Sequence, residues 1–350
     1  MGGALLKTWN LPEKRISATE YEQIKTELLN KFSVDLRVNR PVLLVADVAP
    51  SLRKKETHGD LDICVADYGS ECISEWKKTH SNFSEYLEDS FGYKPHKNSN
   101  VYSFPYKGFQ VDVTFYPISE FYSALNYNSW GDTSNLMGRI FHKMGLHYGH
   151  SGLSFWIRQG LYSQNCEWSD NDHIYEKVVL TRDMKEICQI GGFDYSVWKN
   201  GFDDEQQAFE FIINSEYFDS SIFELENLNH INRVRNAKRG MYMRFVEYVA
   251  NKKIKKKPFL SKEEYSLIMQ HKFSHLNRAI SKYHLQYKTD KIIKEKINGK
   301  LVMSWLDLGE KDGKLVGEIM KKVRELDKIS LLQMTEQELQ QLVKTQYKSL

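Results

Sequence analysis

The feature of this sequence that most restricts its fold is a pair of carboxylates in the stretch ETHGDLDICVAD, residues 56–67. Apart from its acids, this stretch has the apolar composition of a buried strand. Alternation along a strand puts Asp60 and Asp62 on the same face, so two negative charges stand within several ångströms of each other. This arrangement is unfavourable without a cation, and a divalent metal ion would stabilise it.

A third isolated acid, Asp112, lies in the apolar stretch GFQVDVTFYP further along the chain. A buried Asp without a partner is energetically expensive, so three acids on adjacent strands of one sheet would imply a metal site. The alternative is that Asp60 is a turn residue after Gly59, and that Asp62 and Asp112 face solvent on an open face of the sheet. The acids alone leave both interpretations open.

Composition and charge fit a globular chain with more than one domain. The chain has 350 residues, of which 41% are hydrophobic and 27% charged, and single cores stop growing at roughly 250–300 residues. The formal net charge is only +3, but lysines cluster at 252–257 and again over 283–300. Such clusters suit a polyanionic partner, and a solvated linker or helix face is the alternative explanation.

The sequence favours neither secretion nor membrane insertion. Its four Cys residues lack the spacing of a metal site or a disulfide framework, which is typical of reduced thiols in a cytosol-like compartment. It contains neither an apolar run of about 18 residues nor a charged-then-apolar leader. We therefore expect a cytoplasmic protein without a membrane partner.

The order of apolar segments predicts a small mixed sheet flanked by helices. Ser17 with Glu20 three residues later forms a capping-box pattern, which predicts a first helix over 17–32. The predicted strands are 41–48, 61–67, 101–106 and 109–117. The predicted helices that follow are 70–91, about 118–126, about 133–145 and one in LTRDMKEICQIGGF, with a hairpin in LHYGHSGLSFWI before the last. From 203 onward we expect a mostly helical chain with a basic break at 252–259.

The stretch SLRKKETHGDLDICV resembles the palm of family X DNA polymerases, in the DNA polymerase beta-like nucleotidyltransferase superfamily. That family has a Ser-x-Arg-Arg stretch followed by Glu, a small residue and Gly-Asp-x-Asp. The matching residues, at a spacing one residue shorter, are Ser51, Arg53, Lys54, Glu56, Gly59, Asp60 and Asp62. FQVDVTFYPISEFYSALNYNSWGDTSNLMGRIFHKMGLHYGHSGLSF is similar to the family's third-Asp strand, nucleotide-site turn, thumb helix and hairpin. TRDMKEICQIGGFDY resembles the closing thumb helix, so the resemblance spans roughly residues 40–196.

This resemblance implies nucleotidyl transfer assisted by two metal ions. It makes Asp60, Asp62 and Asp112 the ligands of two Mg²⁺ ions, with Mn²⁺ as an alternative, and Asp112 would also activate a 3′-hydroxyl. Ser51 and Arg53 would hold the β- and γ-phosphates of a nucleoside triphosphate. Gly59 would allow close approach of the backbone.

The segments expected to bind the nucleotide depart from the family pattern at one position. Where the family has a Gly before the Ser, this chain has Pro50, which has no N–H to offer a phosphate oxygen. The resemblance assigns the GDTSN segment, with Gly131, Asp132 and Asn135, to the start of the helix that lies against the incoming base and sugar. An ordinary capped helix start is the alternative for this segment.

The C-terminal half carries a second resemblance. WLDLGEKDGKLVGEIMKKVRE, residues 305–325, is similar to the tail of the CCA-adding enzyme and bacterial poly(A) polymerase family, whose counterpart lies in a helical body that handles RNA. The matching residues are Asp307, Leu308, Gly309, Gly313 and Gly317. Upstream, basic residues alternate with aromatic ones, which favours phosphate contacts and base stacking, or else a packed helix with solvated basic ends. The candidate nucleic-acid-binding residues are Arg233, Arg235, Lys238 and Arg239.

Taken together, these patterns predict an α+β protein. Its expected parts are a helical lead-in (1–40), a nucleotidyltransferase palm with a small mixed sheet (41–126), a thumb-like subdomain (127–202) and a basic, helical C-terminal region (203–350). The expected activity is metal-dependent addition of nucleotides from nucleoside triphosphates to a polynucleotide 3′ end, preferably of RNA or tRNA. The alternatives are a minimal gap-filling DNA polymerase, nucleotidylation of a protein or small molecule, and a binding module that keeps only the scaffold.

Overall fold

The computed structural model describes residues 4–38, 44–67, 83–158, 173–252 and 259–350. The chain divides into two compact units. The first comprises Met1–Trp156 with Lys177–Met269, and the second comprises Ile157–Glu176 with Gln270–Leu350. The four-part division predicted from the sequence stays a prediction.

The first unit is built on a five-stranded mixed sheet. A short pair, β1 (Ile16–Ser17) with β3 (Thr57–His58), lies outside it. The sheet strands are β2 (Leu44–Val48), β4 (Asp60–Asp67), β5 (His96–Asn98), β6 (Val101–Tyr106) and β7 (Phe109–Pro117). They lie in the order β2-β4-β7-β6-β5, in which only the β4–β7 pair is parallel. The mixed sheet with flanking helices confirms the α+β class.

One face of this sheet is fully apolar. On β4 and β7, Leu61, Ile63, Val111 and Val113 alternate with the acids and have no exposed surface. Together with α1 (Ala18–Val38) and α2 (Phe83–Phe91) they form the main core. Because side chains alternate between faces, Asp60, Asp62 and Asp112 all lie on the other face. The acid face is therefore fixed by the burial of its neighbours.

The acid face is itself partly covered. Further along β4, Cys64 and Ala66 are buried with Tyr116, Phe121 and Ala124 in a second apolar cluster. Phe121 and Ala124 belong to α3 (Phe121–Asn128), which follows a short 3₁₀ helix at Ile118–Glu120. The helix α3 thus covers the end of the acid face that is farther from Asp60 and Asp62.

The remaining elements of the chain are mostly helices. The strands β8 (Leu146–Gly149), β9 (Gly152–Arg158) and β10 (Ile174–Thr181) form a three-stranded sheet in the order β10-β9-β8. The helices between residues 133 and 272 are α4 (Thr133–Lys143), α5 (Met184–Ile190), α6 (Tyr195–Asn200), α7 (Glu205–Ile213), α8 (His230–Ala237), α9 (Gly240–Ala250) and α10 (Lys262–Lys272). Short 3₁₀ helices lie at Ala4–Trp9, Ser220–Ile222 and Leu225–Asn227.

The second unit has a helical core of its own. Its helices are α11 (Ser274–Lys296), α12 (Gly299–Leu306), α13 (Gly313–Arg324), α14 (Lys328–Gln333) and α15 (Glu336–Lys348), with a 3₁₀ helix at Glu310–Asp312. Buried side chains from these helices, among them Val302, Ile319 and Val343, form one cluster. This confirms the mostly helical character predicted for the C-terminal half.

Local sequence signals account for most of these elements. The predicted capping box is present, since Ser17 N–H donates to Glu20 and Glu20 N–H donates to the Ser17 hydroxyl at 3.2 Å. The first helix nevertheless continues to Val38, beyond its predicted end at residue 32. The predicted strand residues 41–43, helix residues 70–82 and most of the basic break (253–258) lie outside the described residues. No helix in the described ranges is long and apolar enough to cross a membrane.

Candidate active site

Pairing of β4 with β7 brings the three acids together. The parallel register sets Asp62 directly opposite Asp112, and Asp60 directly opposite Gln110. Neighbouring strands lie about 4.8 Å apart, and residues directly opposite each other project from the same face. Asp60, Asp62 and Asp112 therefore occupy neighbouring positions on one face of the sheet, as the sequence predicted for the first two.

The environment of Asp62 disfavours its charged form. Desolvation by the surrounding protein, followed by the charges of Asp60 and Asp112, raises the pKa of Asp62 from 3.8 to about 7. Its side chain is nevertheless exposed, so it lies in a crowded but open part of the face. A bound cation would cancel the repulsion between Asp62 and these two like charges.

Asp112 is held in place by hydrogen bonds from two neighbouring side chains. The side-chain amide of Gln110 donates to both carboxylate oxygens of Asp112, at 3.2 and 3.0 Å, and the Ser103 hydroxyl donates as well. Desolvation raises the pKa of Asp112, and these two donors partly offset it. Ser103 lies opposite Asp112 on β6, and His96 lies opposite Ser103 on β5. A polar row thus crosses four strands from Asp62 to His96.

The three carboxylates fit a hard divalent cation chemically. Carboxylate oxygens are the protein ligands that Mg²⁺ and Mn²⁺ prefer. Among the residues that the structure describes, no three acid, His or Cys side chains converge closely enough, as they stand, to hold an ion. Asp60, Asp62 and Asp112 nevertheless occupy neighbouring positions on paired strands, and a bound ion would relieve the repulsion that, after desolvation, helps raise the pKa of Asp62.

A cavity of about 350 Å³ lies at the loop that carries Ser51, and the acids themselves do not line it. Tyr21 lines this cavity. Burial raises the pKa of the Tyr21 hydroxyl, and the charges of Asp62 and Asp60 raise it further, so these two acids lie near the cavity. Its other polar or aromatic lining residues are Glu22, Lys25, Ser51, Arg53, Lys55, His58 and Trp130. Three cations and one acid line this cavity, with Lys25 paired to Glu22 at 2.9 Å, and this excess of positive charge suits a phosphate-bearing ligand. Lys25 and Lys55 were not singled out from the sequence, although Lys55 lies within the SLRKKE stretch.

The floor of the cavity contains a neutral histidine. His58 is buried and stacks on Tyr21, with ring centroids 3.7 Å apart and the rings nearly parallel. Burial, followed by the nearby cations Lys55 and Arg15, lowers the pKa of His58 to about 4. The imidazole is therefore uncharged at neutral pH. Gly59, which follows His58, is buried between β3 and β4.

Arg53 is hydrogen-bonded to the segment 200–203 and does not point freely into the cavity. Its guanidinium donates to the Asp203 carboxylate at 2.7 Å and to the carbonyls of Asn200 and Gly201 at 3.1 and 3.0 Å. Its backbone N–H donates to the Phe202 carbonyl. The predicted phosphate contact of Arg53 stays a prediction, and it requires these bonds to open or to be shared. The sequence held no signal for this contact.

The predicted nucleotide-site turn lies next to the same loop. Trp130 N–H donates to the Pro50 carbonyl at 2.7 Å, and both Trp130 and Gly131 have left-handed backbone conformations. Asp132 forms an ion pair with Arg239, and the Asn135 side chain donates to Asn236 at 3.2 Å. The structure thus joins the turn to the loop of Ser51.

The same contacts place the basic segment beside this turn. Arg239 is one of the four predicted nucleic-acid-binding residues, and its partner Asp132 was predicted to bind nucleotide. The other three, Arg233, Arg235 and Lys238, are exposed on α8 and at its end. The predicted nucleotide-binding and nucleic-acid-binding groups are therefore brought together in one unit.

Comparison with models of known protein families gives no match. A search of curated proteins likewise finds no similar sequence. A function for this chain therefore has to be inferred from its residues and their geometry. The features that bear on it are the three carboxylates on one sheet face and the cavity lined by Lys25, Arg53 and Lys55.

Proposed function

We propose that the chain is a metal-dependent nucleotidyltransferase that adds nucleotides from nucleoside triphosphates to the 3′ end of a polynucleotide. The observation that carries this proposal is the register that sets Asp62 opposite Asp112, with Asp60 two residues earlier on the same face. The charges of Asp60 and Asp62 reach Tyr21 in the lining of a cavity that also contains Lys25, Arg53 and Lys55. Clustered acids beside clustered cations suit metal and triphosphate binding together.

Each group has a chemical part in this proposal. The carboxylates of Asp60, Asp62 and Asp112 would hold two Mg²⁺ or Mn²⁺ ions, which supply hydroxyl activation and neutralise triphosphate charge. Asp112 accepts the proton of the attacking 3′-hydroxyl while Gln110 and Ser103 hold its carboxylate in place.

The cavity side chains bind and orient the triphosphate. Ser51 donates its hydroxyl to a phosphate oxygen, and Lys55 and Lys25 supply positive charge. Gly59 leaves room for the phosphates to approach the backbone. Pro50 has no N–H to offer, so side chains rather than backbone amides supply most of the donors.

RNA, with tRNA as one form, is the preferred acceptor. Arg233, Arg235 and Lys238 present an exposed basic surface next to the nucleotide-site turn. The residues 305–325 that resemble an RNA-handling helical body lie in the second unit, which has its own core. Both features support a polyanionic acceptor.

The test is a 3′-extension assay with Mg²⁺, in which labelled tRNA lacking its 3′ end, unstructured RNA and gapped DNA are each offered NTPs or dNTPs. We expect NTP-dependent extension of RNA. Asp62→Asn and Asp112→Asn should each lose on the order of a thousandfold in rate while remaining folded, because each removes a metal ligand and a negative charge.

Asp89→Asn, a change at an exposed acid of α2, serves as the matched control and should keep the wild-type rate. Undiminished extension by Asp62→Asn or Asp112→Asn would rule out the site. If only gapped DNA were extended, and according to its template, the protein would instead be a gap-filling polymerase. If wild type and Asp62→Asn leave every acceptor unextended, the acceptor is not a polynucleotide, and nucleotidylation of proteins or small molecules would be measured instead.

A further inference from the structure

The side chain of Gln110 connects the beginning of the described chain to the candidate active site. Its carbonyl oxygen accepts a hydrogen bond from the backbone N–H of Leu5 at 3.0 Å. Its NH₂ group donates to both oxygens of Asp112. Gln110 is only 4% exposed, so water does not compete strongly for either end of the amide. The amide therefore has one protein partner at each end.

These partners allow only one orientation of the amide. A flipped amide would set its oxygen against the Asp112 carboxylate and its NH₂ group against the Leu5 N–H, so both contacts would become repulsive. The Leu5 N–H thus favours the orientation in which Gln110 donates to Asp112. Without that N–H, the amide loses one of its two constraints.

The Leu5 N–H is itself held in place by its surroundings. It lies in the 3₁₀ helix Ala4–Trp9, whose Leu6 side chain is completely buried. The Trp9 indole N–H donates to the Lys94 carbonyl at 3.1 Å, and the Leu11 N–H donates to the Leu6 carbonyl. The segment packs on β6 and β7, the two strands that carry Ser103 and Asp112. Its position is therefore set by tertiary contacts.

We propose that Gln110 is a positioning residue for Asp112, and that the 3₁₀ helix Ala4–Trp9 acts as a clamp that orients Gln110 through the Leu5 N–H. This inference rests on the proposed function, because it gives Asp112 a catalytic part. It adds that residues 4–9, which contain no catalytic side chain, form part of the active unit. Mutation of a residue that hydrogen-bonds to a metal ligand typically lowers metal affinity or activity by ten- to hundredfold.

The test compares full-length variants by two measurements. One is the affinity for Mn²⁺, taken from the loss of the free-ion electron paramagnetic resonance signal, and the other is kcat and KM in the extension assay. Gln110→Met removes both amide groups at similar length. Leu5→Pro removes the N–H from which Gln110 accepts its hydrogen bond, in a first helical turn where proline is tolerated. It also removes the half-buried Leu5 side chain, which Leu5→Ala removes alone. Ala4→Pro places the same ring at the exposed preceding residue and is the matched control.

We expect Gln110→Met and Leu5→Pro each to weaken Mn²⁺ binding about tenfold and to lower kcat at least as much. The KM for the nucleotide should stay within about twofold, because Gln110 does not line the cationic cavity. The double variant should be no worse than Gln110→Met alone, since both changes act through one link. Ala4→Pro should match wild type.

Two results would overturn the clamp. One is wild-type Mn²⁺ affinity and kcat in Leu5→Pro, and the other is a double variant whose losses are the product of the single ones, as expected from unrelated damage. Failure of the proposed function has a different signature, because it would show in the unsubstituted protein. Wild type and Asp62→Asn would then bind Mn²⁺ equally weakly and extend nothing, and the clamp would be overturned with it.

Discussion

Asp62 and Asp112 lie side by side on one sheet face, but their surroundings differ. Asp112 receives hydrogen bonds from Gln110 and Ser103, which stabilise its charged form. For Asp62, desolvation and the charges of Asp60 and Asp112 dominate and raise its pKa to about 7. The arrangement is therefore destabilising in the absence of a cation. Such strain at a cluster of acids is characteristic of functional sites.

This difference predicts a pH-dependent stability in the metal-free protein. An acid whose pKa is raised on folding binds more protons in the folded state, so it destabilises the protein as the pH rises from its ordinary value of 3.8 through about 7. Asp62→Asn cannot ionise. We expect its melting temperature to exceed that of wild type at pH 8 and to equal it near pH 4, measured by circular dichroism with EDTA.

Added Mg²⁺ should reduce the difference in melting temperature between Asp62→Asn and wild type at pH 8. A bound cation stabilises the charged form of Asp62, which only wild type retains. Asp89→Asn is again the control, since it removes an exposed acid outside the site. A difference in melting temperature of the same size at pH 4 and pH 8 would contradict the raised pKa of Asp62.

At the level of elements, the loop that carries Ser51 and Arg53 depends on the segment 200–203. Arg53 bonds to Asp203, Asn200 and Gly201, and Trp130 packs against Gly201. Gly201 adopts φ 72° and ψ −179°, a region that only glycine occupies readily. A Cβ atom at Gly201 would come within 2.3 Å of the Trp130 ring. The segment is therefore shaped by a glycine and a tryptophan distant in sequence.

We accordingly expect Gly201→Ala to be strongly destabilising. Gly92 is a matched control, because its φ of +75° is similar but nothing lies within 4 Å of an added Cβ atom. Gly92→Ala should lower the free energy of unfolding by about 1–2 kcal/mol from backbone strain alone. Gly201→Ala should lower it by about 2 kcal/mol more, because it adds a steric clash and because alanine rarely adopts the backbone conformation of Gly201. Urea unfolding measures both, and equal losses would show that the Trp130 contact is not tight.

At the level of the whole molecule, the candidate catalytic, nucleotide-binding and basic groups all belong to the first unit. The second unit has a separate helical core and carries Asp307, Gly309 and Gly313. Net charge does not reveal the basic surface, because 49 Lys and Arg residues are nearly balanced by 46 Asp and Glu residues. The predicted binding of a polyanion would therefore depend on where the charges lie and not on their sum.

The exposed residues Arg235 and Lys238 should contribute to RNA affinity through phosphate contacts. Two such contacts to a single strand change the slope of log K against log salt by about 1.4. We expect the variant with Ala at both positions to bind unstructured RNA more weakly and with a slope shallower by that amount, measured by fluorescence anisotropy. The control changes the exposed Lys143 and Lys185 to Ala. If the two variants gave the same slope of log K against log salt, RNA would not contact Arg235 and Lys238.

Short-range physical rules determined a large part of this structure. Strand alternation placed Asp60 and Asp62 on one face, and the apolar composition of their neighbours decided that the other face would be buried. The Ser17–Glu20 capping box started α1, because it satisfies backbone N–H groups that no helix can satisfy by itself. These features need only residues close together in the chain, so they could be predicted from it.

The tertiary structure alone decided how distant elements align. The β4–β7 register sets Asp112 opposite Asp62, and a slip of one residue would send Asp112 to the apolar face. Likewise, Arg53 meets Asp203, and Leu5 meets Gln110 at a separation of 105 residues. Such contacts form only when many apolar side chains bury together and bring distant segments into place, and no local pattern records which polar groups then become neighbours.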